Sequence, residues 1–283
     1  MAEKWKDVYT QEQIQKIQKL ELKNLKVLQD VCGQLNIEFI VYGGSLIGAV
    51  RHKGFVPWDD DLDVAMLRED YMKFVEKAPA LLPEEYYLQT PYNDKKTPYA
   101  YSKLRLRGTK CVEYVHHRIK TEHGIYVDIY PIDRMPDEDE KILQGFKEYQ
   151  RLIHYYVIRQ SPYPPVAGGG VKRKLKNMAK RMVSAALHLI PQRYFINRID
   201  AVMTRYNHLD TERWGNLFYP EPKNLFYDLL PFEDGEFEGS SVKLPRNWDR
   251  HLTSRYGNYM EFPPEEERIG HKPYLLDFGK YND

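Results

Sequence analysis

Four carboxylates crowd into the stretch Trp58-Asp59-Asp60-Asp61-Leu62-Asp63-Val64. Residues 62–67 are β-rich, and alternate residues of a strand share a face. Asp61 and Asp63 are therefore expected to point one way while Leu62 and Val64 enter the core. Two carboxylates a few ångströms apart repel by roughly 4 kcal/mol at the effective dielectric of a protein surface. A cation between them relieves that repulsion, and hard oxygen ligands on a rigid strand favour Mg²⁺, with Mn²⁺ as the close substitute and phosphate oxygens completing the shell. An EF-hand reading fails. Asp59, Asp61 and Asp63 would fill positions one, three and five, but Val64 stands where the loop needs glycine and Asp70 where it needs glutamate. The plain alternative is a solvated acidic turn, and the apolar flanks argue against it.

Upstream, Gly43-Gly44-Ser45 follows a short β-rich run (37–42) and precedes a brief helical turn over 46–51. Glycines there would let backbone N–H groups approach a phosphate, so Gly44 and Ser45 are candidate phosphate contacts. A Gly-Ser turn followed by Asp-apolar-Asp-apolar is the pattern of the nucleotidyltransferase fold. That fold places a third carboxylate on a neighbouring strand. Asp128, a lone acid in the apolar run Gly124-Ile125-Tyr126-Val127-Asp128-Ile129-Tyr130, is the candidate, because an acid buried there without a partner would be costly. Asp133, beyond Pro131, is expected to cap or turn the chain. Arg51, Lys53, Lys103 and Arg105 could neutralise phosphate charge, and His52 could hydrogen-bond a phosphate or serve its loop. Trp58 is the residue to test for contact with a quaternary ammonium, against the plainer role of packing its loop. His116, His117 and His123 match no zinc spacing and are expected on the surface.

The elements that must position these groups follow from periodicity. Apolar residues from Gln11 to Leu35 recur at helical spacing, which predicts an amphipathic helix ending at Gly33. Arg68–Lys77 reads as a helix, and 86–89, 99–106, 111–115 and 124–130 as strands, the last ended by Pro131. Helices are expected over 138–159, 171–190 and 193–205, with a Pro/Gly-rich break over 161–170. From Trp214 onward, loops and short strands should lean on the core. The fold class is α+β: a nucleotidyltransferase-like core with a mixed sheet flanked by helices, plus a helical and loop-rich C-terminal part. The divisions expected are an N-terminal helix (1–35), a catalytic core (36–136) and a C-terminal region (137–283) on the acceptor side.

Composition narrows the partners. The 283 residues carry 42 Lys plus Arg against 41 Asp plus Glu, a net charge of +1, which argues against nucleic-acid binding through a uniformly basic surface. Two distant cysteines make neither a disulfide framework nor a metal motif and fit a reducing compartment. No apolar leader and no window near the ~18 apolar residues of a membrane span are seen, so a cytoplasmic chain is expected. One segment qualifies this. Residues 171–190 are basic, with Leu175, Met178, Met182 and Leu189 on one side. The stripe would serve equally as a core-facing face or as a peripheral contact with the inner face of a membrane.

The stretch Gly43–Met66, GGSLIGAVRHKGFVPWDDDLDVAM, resembles the signature of the LicD family, which includes fukutin and fukutin-related protein. Tyr101–Arg105 with Thr109, GIYVDIYPID, and the tail Tyr256–Met260 running to Pro263-Pro264 and His271 resemble it too. The resemblance spans about residues 37–273, is thinner in the middle, where acceptor choice would lie, and is nearest to the bacterial phosphocholine-transferase branch. It implies transfer of a phospho-alcohol, phosphocholine by default, from a CDP-activated donor such as CDP-choline to a sugar hydroxyl of a cell-surface glycan of teichoic acid or lipopolysaccharide type, releasing CMP. The acceptor could be lipid-linked. The resemblance also implies Asp61 and Asp63 as metal ligands and Asp128 as the third carboxylate, which would help hold the metal. Two other functions use the same residues: a nucleotidyltransferase that releases pyrophosphate from an NTP, and a metal- and glycan-binding module without turnover.

Overall fold

The computed structural model describes residues 9–160, 170–218, 225–268, 270–271 and 273–282. The expected break over 161–170 therefore lies almost wholly outside the described residues.

The chain opens with helix α1 (Gln11–Leu35). Thr10 and Gln13 form its capping box, and inward residues Ile14, Ile17, Leu25 and Leu28 dock it on the sheet. The helix runs past Gly33. Asn36 takes the left-handed conformation (φ 49°) and returns its N–H to the last carbonyls, so an asparagine ends what the glycine was expected to end. Strand β1 (Ile40–Val41), the short helix α2 (Gly43–Ile47) and a π-turn (Gly48–His52) lead into the acidic loop. Strand β2 (Asp63–Leu67) and helix α3 (Arg68–Lys77) follow.

Four strands come next: β3 (Tyr86–Gln89), β4 (Ser102–Leu106), β5 (Lys110–Glu113) and β6 (Ile125–Arg134). Three helices succeed them, α4 (Asp139–Gln160), α5 (Val171–His188) and α6 (Gln192–Met203). Strands β7 (Arg213–Gly215), β8 (Phe226–Tyr227), β9 (Glu233–Phe237) and β10 (Ser240–Leu244), helix α7 (Trp248–Tyr256) and strand β11 (Pro273–Asp277) complete the described fold.

The main sheet is mixed, in the order β3-β4-β6-β2-β1-β10-β9, and β7 and β8 extend it at the far end of β6. A mixed sheet flanked by helices is the architecture the sequence predicts. The C-terminal hairpin β9–β10 does more than lean on the core, because β10 pairs in parallel with β1 and widens the same sheet. A separate pair, β5–β11, brings the C-terminal tail across the acidic loop. Two apolar clusters result. The larger lies between α1, α3 and the sheet, and the smaller joins α4 and α6 through Ile142, Tyr149, Phe195 and Ile199.

Pro131 does not end β6, which continues to Arg134. The Asp128 N–H donates to Leu62 O on the β2 side, so by alternation residue 131 faces the other edge. There β4 has already stopped opposite Ile129, and β7 begins only opposite Asp133. The missing donor of Pro131 falls in that gap, where no ladder bond is lost. Asp133 is likewise no cap. It is fully buried within β6 and pairs with Arg68 of α3 through two hydrogen bonds, 2.9 Å and 2.5 Å, while Asn207 donates to its Oδ1 at 2.7 Å.

Candidate active site

Strands β2 and β6 run parallel with Asp63 opposite Asp128, and antiparallel β4 sets Lys103 opposite Asp128 on the other side. Register partners share a face of a sheet, so Asp63, Asp128 and Lys103 stand abreast across three strands. All three are buried. The Lys103 ammonium lies 2.6 Å from Asp128 Oδ1 and 2.9 Å from Oδ2. It also sits over the rings of Tyr126 (3.5 Å) and Tyr99 (4.4 Å), which solvate it where water cannot.

Among the described residues Asp63 has no such partner. Its backbone N–H donates to Ser45 Oγ at 2.9 Å, but its carboxylate Oδ1 is buried with no hydrogen bond. Burial pushes this carboxyl well above the ordinary range, and the charges of Asp61, Asp128 and Asp59 push it further. Asp59 and Asp61 hydrogen-bond to one another, and burial followed by repulsion from Asp61 drives Asp59 well up. Burial raises Asp128 too, with Lys103 pulling back.

Asp60 turns the other way. Its Oδ1 accepts the His271 backbone N–H at 2.9 Å and lies 3.3 Å from His271 Nδ1, which clips the C-terminal tail to the acidic loop. The ring contact of Nδ1 with Asp60, reinforced by Asp61 3.8 Å from the ring, pushes His271 up to about 10.

These residues suit a hard divalent cation. Among the described residues no three His, Cys, Asp or Glu side chains form a ready-made cation cage. Mg²⁺, however, is commonly held by one or two carboxylates, with water and substrate phosphate filling the rest of its octahedron. The orphaned Asp63 oxygen and the mutual repulsion of Asp59, Asp61 and Asp63 are what such a cation would relieve.

The other expected contacts fall in three places. Gly44 and Ser45 lie against the acids. A Cβ on Gly44 would come within 2.6 Å of Asp59 Oδ2, and one on Gly43 within 2.6 Å of Asp63 Oδ2. The glycines thus make room for carboxylates. Arg51, His52 and Trp58 gather around Phe262. Arg51 donates to Tyr259 O at 2.6 Å and Glu261 O at 3.1 Å, His52 stacks on Phe262, and Trp58 meets Phe262 edge-on with the Arg268 guanidinium 5.0 Å from its ring. Burial and Arg51 lower His52. Lys53 is exposed in the left-handed region, its carbonyl accepting from Glu238 N–H. Arg105 is buried two residues along from Lys103 and spends its donors on Gln89 Oε1 (2.7 Å) and Gly124 O (2.9 Å), inside the core.

Comparison with known proteins addresses the same residues. Residues 36–156, which hold all the acids of β2 and β6, match the sequence model of the LicD/FKTN/FKRP nucleotidyltransferase domain. The chain is also 26% identical over 262 residues to a Haemophilus influenzae protein named lipopolysaccharide cholinephosphotransferase LicD, covering 90% of this chain and 95% of that one. Residues 36–156 thus match the LicD family's domain, and similarity to a protein of that name runs along most of the chain. An uncharacterized protein of Rickettsia typhi is 30% identical over 127 residues, 44% of this chain and 37% of its own.

Four residues assigned no role from sequence join the site, Asp59 and Glu113 inside the matched stretch 36–156 and Glu21 and His271 outside it. Asp59 continues the alternation of Asp61 and Asp63 one step back. Glu21 of α1 is buried, has an unpartnered Oε2, and is pushed up by burial and then by Asp61, Asp60 and Asp59. Its signal was present: Ile17, Glu21, Asn24 and Leu28 follow the inward spacing of α1. Glu113 accepts the Tyr99 hydroxyl at 3.0 Å, and Lys103 and His116 hold it low despite burial. His271 enters through β11. His116 is not on the open surface as expected: its ring meets Tyr99 edge-on, and burial lowers it to about 4.

Proposed function

We propose that this chain transfers phosphocholine from CDP-choline to a sugar hydroxyl of a cell-surface glycan and releases CMP. The observation that carries the reading is the register pair Asp63–Asp128, with Asp61 entering from the adjoining loop. Similarity along nearly the whole length of a protein named lipopolysaccharide cholinephosphotransferase favours phosphocholine and a lipopolysaccharide-type acceptor.

Asp61 and Asp63 would hold Mg²⁺, or Mn²⁺, with Asp128 beside them as the third carboxylate. When bound, the cation neutralises the donor diphosphate and the leaving phosphate. Asp128 orients the sugar hydroxyl and accepts its proton as the new O–P bond forms and the bond from phosphorus to the CMP oxygen breaks. Lys103 favours the ionised form of Asp128, against the burial that raises its pKa. Gly43, Gly44 and Ser45 hold the carboxylates in register.

³¹P NMR tests this with CDP-choline, CDP-glycerol, CDP-ribitol and CTP offered separately, with Mg²⁺, a glycan acceptor and an EDTA control. Metal-dependent CMP release from CDP-choline is the expected result. Release from a polyol donor alone would replace the alcohol, pyrophosphate from CTP alone would make the chain a nucleotidyltransferase, and cation binding without turnover of any donor would leave a binding module.

A further inference from the structure

Helix α5 touches the rest of the protein along one narrow side. Asn177, Lys180, Ser184 and Leu187 recur every three or four residues and are its least exposed described positions. At 3.6 residues per turn the opposite side carries Val171, Leu175, Met178 and Met182, and Leu189 extends the line just past the helix end. Their side chains are 54% to 86% exposed. The sequence left open whether this stripe faces the core, and the structure turns it outward.

An exposed apolar stripe of this length needs a cover, and the surrounding charge says which kind. Arg173, Lys174, Lys176, Lys180 and Arg181 lie along α5, and Val171–His188 contains no Asp or Glu. Lys176 flanks the stripe on one side, Lys174 and Arg181 on the other. Beside it a groove of about 340 Å³ runs between α4 and α5, lined by Tyr155, Ile158, Ala179 and Val183 with Lys176 and Lys180 at its edge. Among the described residues no helix is long and apolar enough to cross a membrane.

We infer that α5 lies in the surface of an anionic phospholipid bilayer, with Leu175, Met178 and Met182 among the acyl chains and the flanking lysines and arginines at the headgroup phosphates. A second copy of the chain is a poorer cover, because joining two such stripes would bring two wholly basic flanks together. The inference does not depend on which donor or acceptor the site uses.

Vesicle flotation of the full chain tests it, with phosphatidylcholine alone and with an equal mixture of phosphatidylcholine and phosphatidylglycerol. The protein should float with the anionic vesicles, not with the neutral ones, and high salt should release it. The double variant Leu175→Glu/Met182→Glu should bind the anionic vesicles about tenfold more weakly or worse, since two apolar anchors are lost, with an unchanged melting temperature. The triple variant Lys174→Gln/Lys176→Gln/Arg181→Gln, which leaves the stripe intact, should lose the preference for anionic lipid. Failure of the wild type to float, or equal flotation of either variant, overturns the inference. So does a lipid-free dimer in light scattering that the double variant converts to monomer, which would make this face an interface between copies.

Discussion

Asp128 is compensated and Asp63, its register partner on the adjacent strand, is not. Lys103 Nζ donates to Asp128 Oδ2 at 2.9 Å and forms an ion pair with Oδ1 at 2.6 Å, whereas among the described residues Asp63 has no ion-pair partner and its buried Oδ1 has no hydrogen bond. The sheet therefore supplies one fixed cation for two abreast carboxylates and leaves Asp59, Asp61 and Asp63 repelling one another. A site with excess buried negative charge is strained until a mobile cation enters, so the groups that serve function here work against stability.

Asp63→Asn should consequently separate the two. The amide removes a repelling charge without changing shape, so the cation-free variant should melt higher than the wild type, by an amount worth about 1 kcal/mol or more. Its turnover should vanish. Mg²⁺ should raise the melting temperature of the wild type through linkage and leave that of Asp63→Asn unmoved. Calorimetry with and without Mg²⁺ checks both halves; a wild type indifferent to Mg²⁺ and Mn²⁺ would refute the cation site.

Lys103 poses the opposite case. Lys103→Met strands a buried Asp128 and should cost about 3 kcal/mol or more. Adding Asp128→Asn should recover most of that loss, because the stranded charge disappears. Urea titrations of both singles and the double complete the cycle. A double variant as unstable as the sum of the singles would mean that Lys103 serves packing on Tyr126 and Tyr99 instead of charge.

Much of this arrangement was legible in the sequence, and the limits have physical causes. Strand β2 and the acid in β6 follow from alternation and from the cost of a lone buried carboxylate, which are local facts. The pairing of Asp128 with Lys103 depends on the β4–β6 register, set by contacts between strands that no single segment records. Arg105 shares a face with Lys103 and looks equally available, yet it lies two residues nearer Gly124, where Gln89 and a backbone carbonyl consume its donors. Pro131 reads as a strand end because local chemistry cannot reveal that β4 stops first. The stripe of α5 was visible, but its direction depends on tertiary packing against α4.

Gly44 tests the fit between α2 and the acidic loop. Alanine in a helix is ordinarily favoured over glycine by about 1 kcal/mol, and by that rule Gly44→Ala should stabilise the protein. Here the new Cβ would meet Asp59 Oδ2 at 2.6 Å. The Asp59 carboxylate must shift, and Asp61, hydrogen-bonded to it, shifts too. Displacement on the scale of an ångström near a reacting centre costs about a hundredfold in turnover, with the fold retained. Wild-type kinetics in a folded Gly44→Ala would show that Asp59 has no part in the chemistry.

Away from the site, His251 should make stability depend on pH. It is buried on α7, stacks on Phe226 with ring centroids 3.9 Å apart, and has Nδ1 3.1 Å from Leu225 O. That contact assigns the proton of the neutral ring to Nδ1, while Nε2 is buried without a partner. Protonating Nε2 would bury an uncompensated charge with Arg255 adding repulsion, so burial lowers His251 to about 4 from 6.5. Between those values the unfolded chain binds a proton that the folded one refuses, so stability falls as pH drops from about 7 to about 4 and changes no further below that on this account. The loss amounts to about 3 kcal/mol. Other groups titrate in the same window, and His251→Asn, which keeps a donor toward Leu225 O and cannot ionise, isolates the contribution. Urea unfolding from pH 7.5 to 4.5 should give the wild type the steeper decline, and parallel curves for the two proteins would remove His251 as its source.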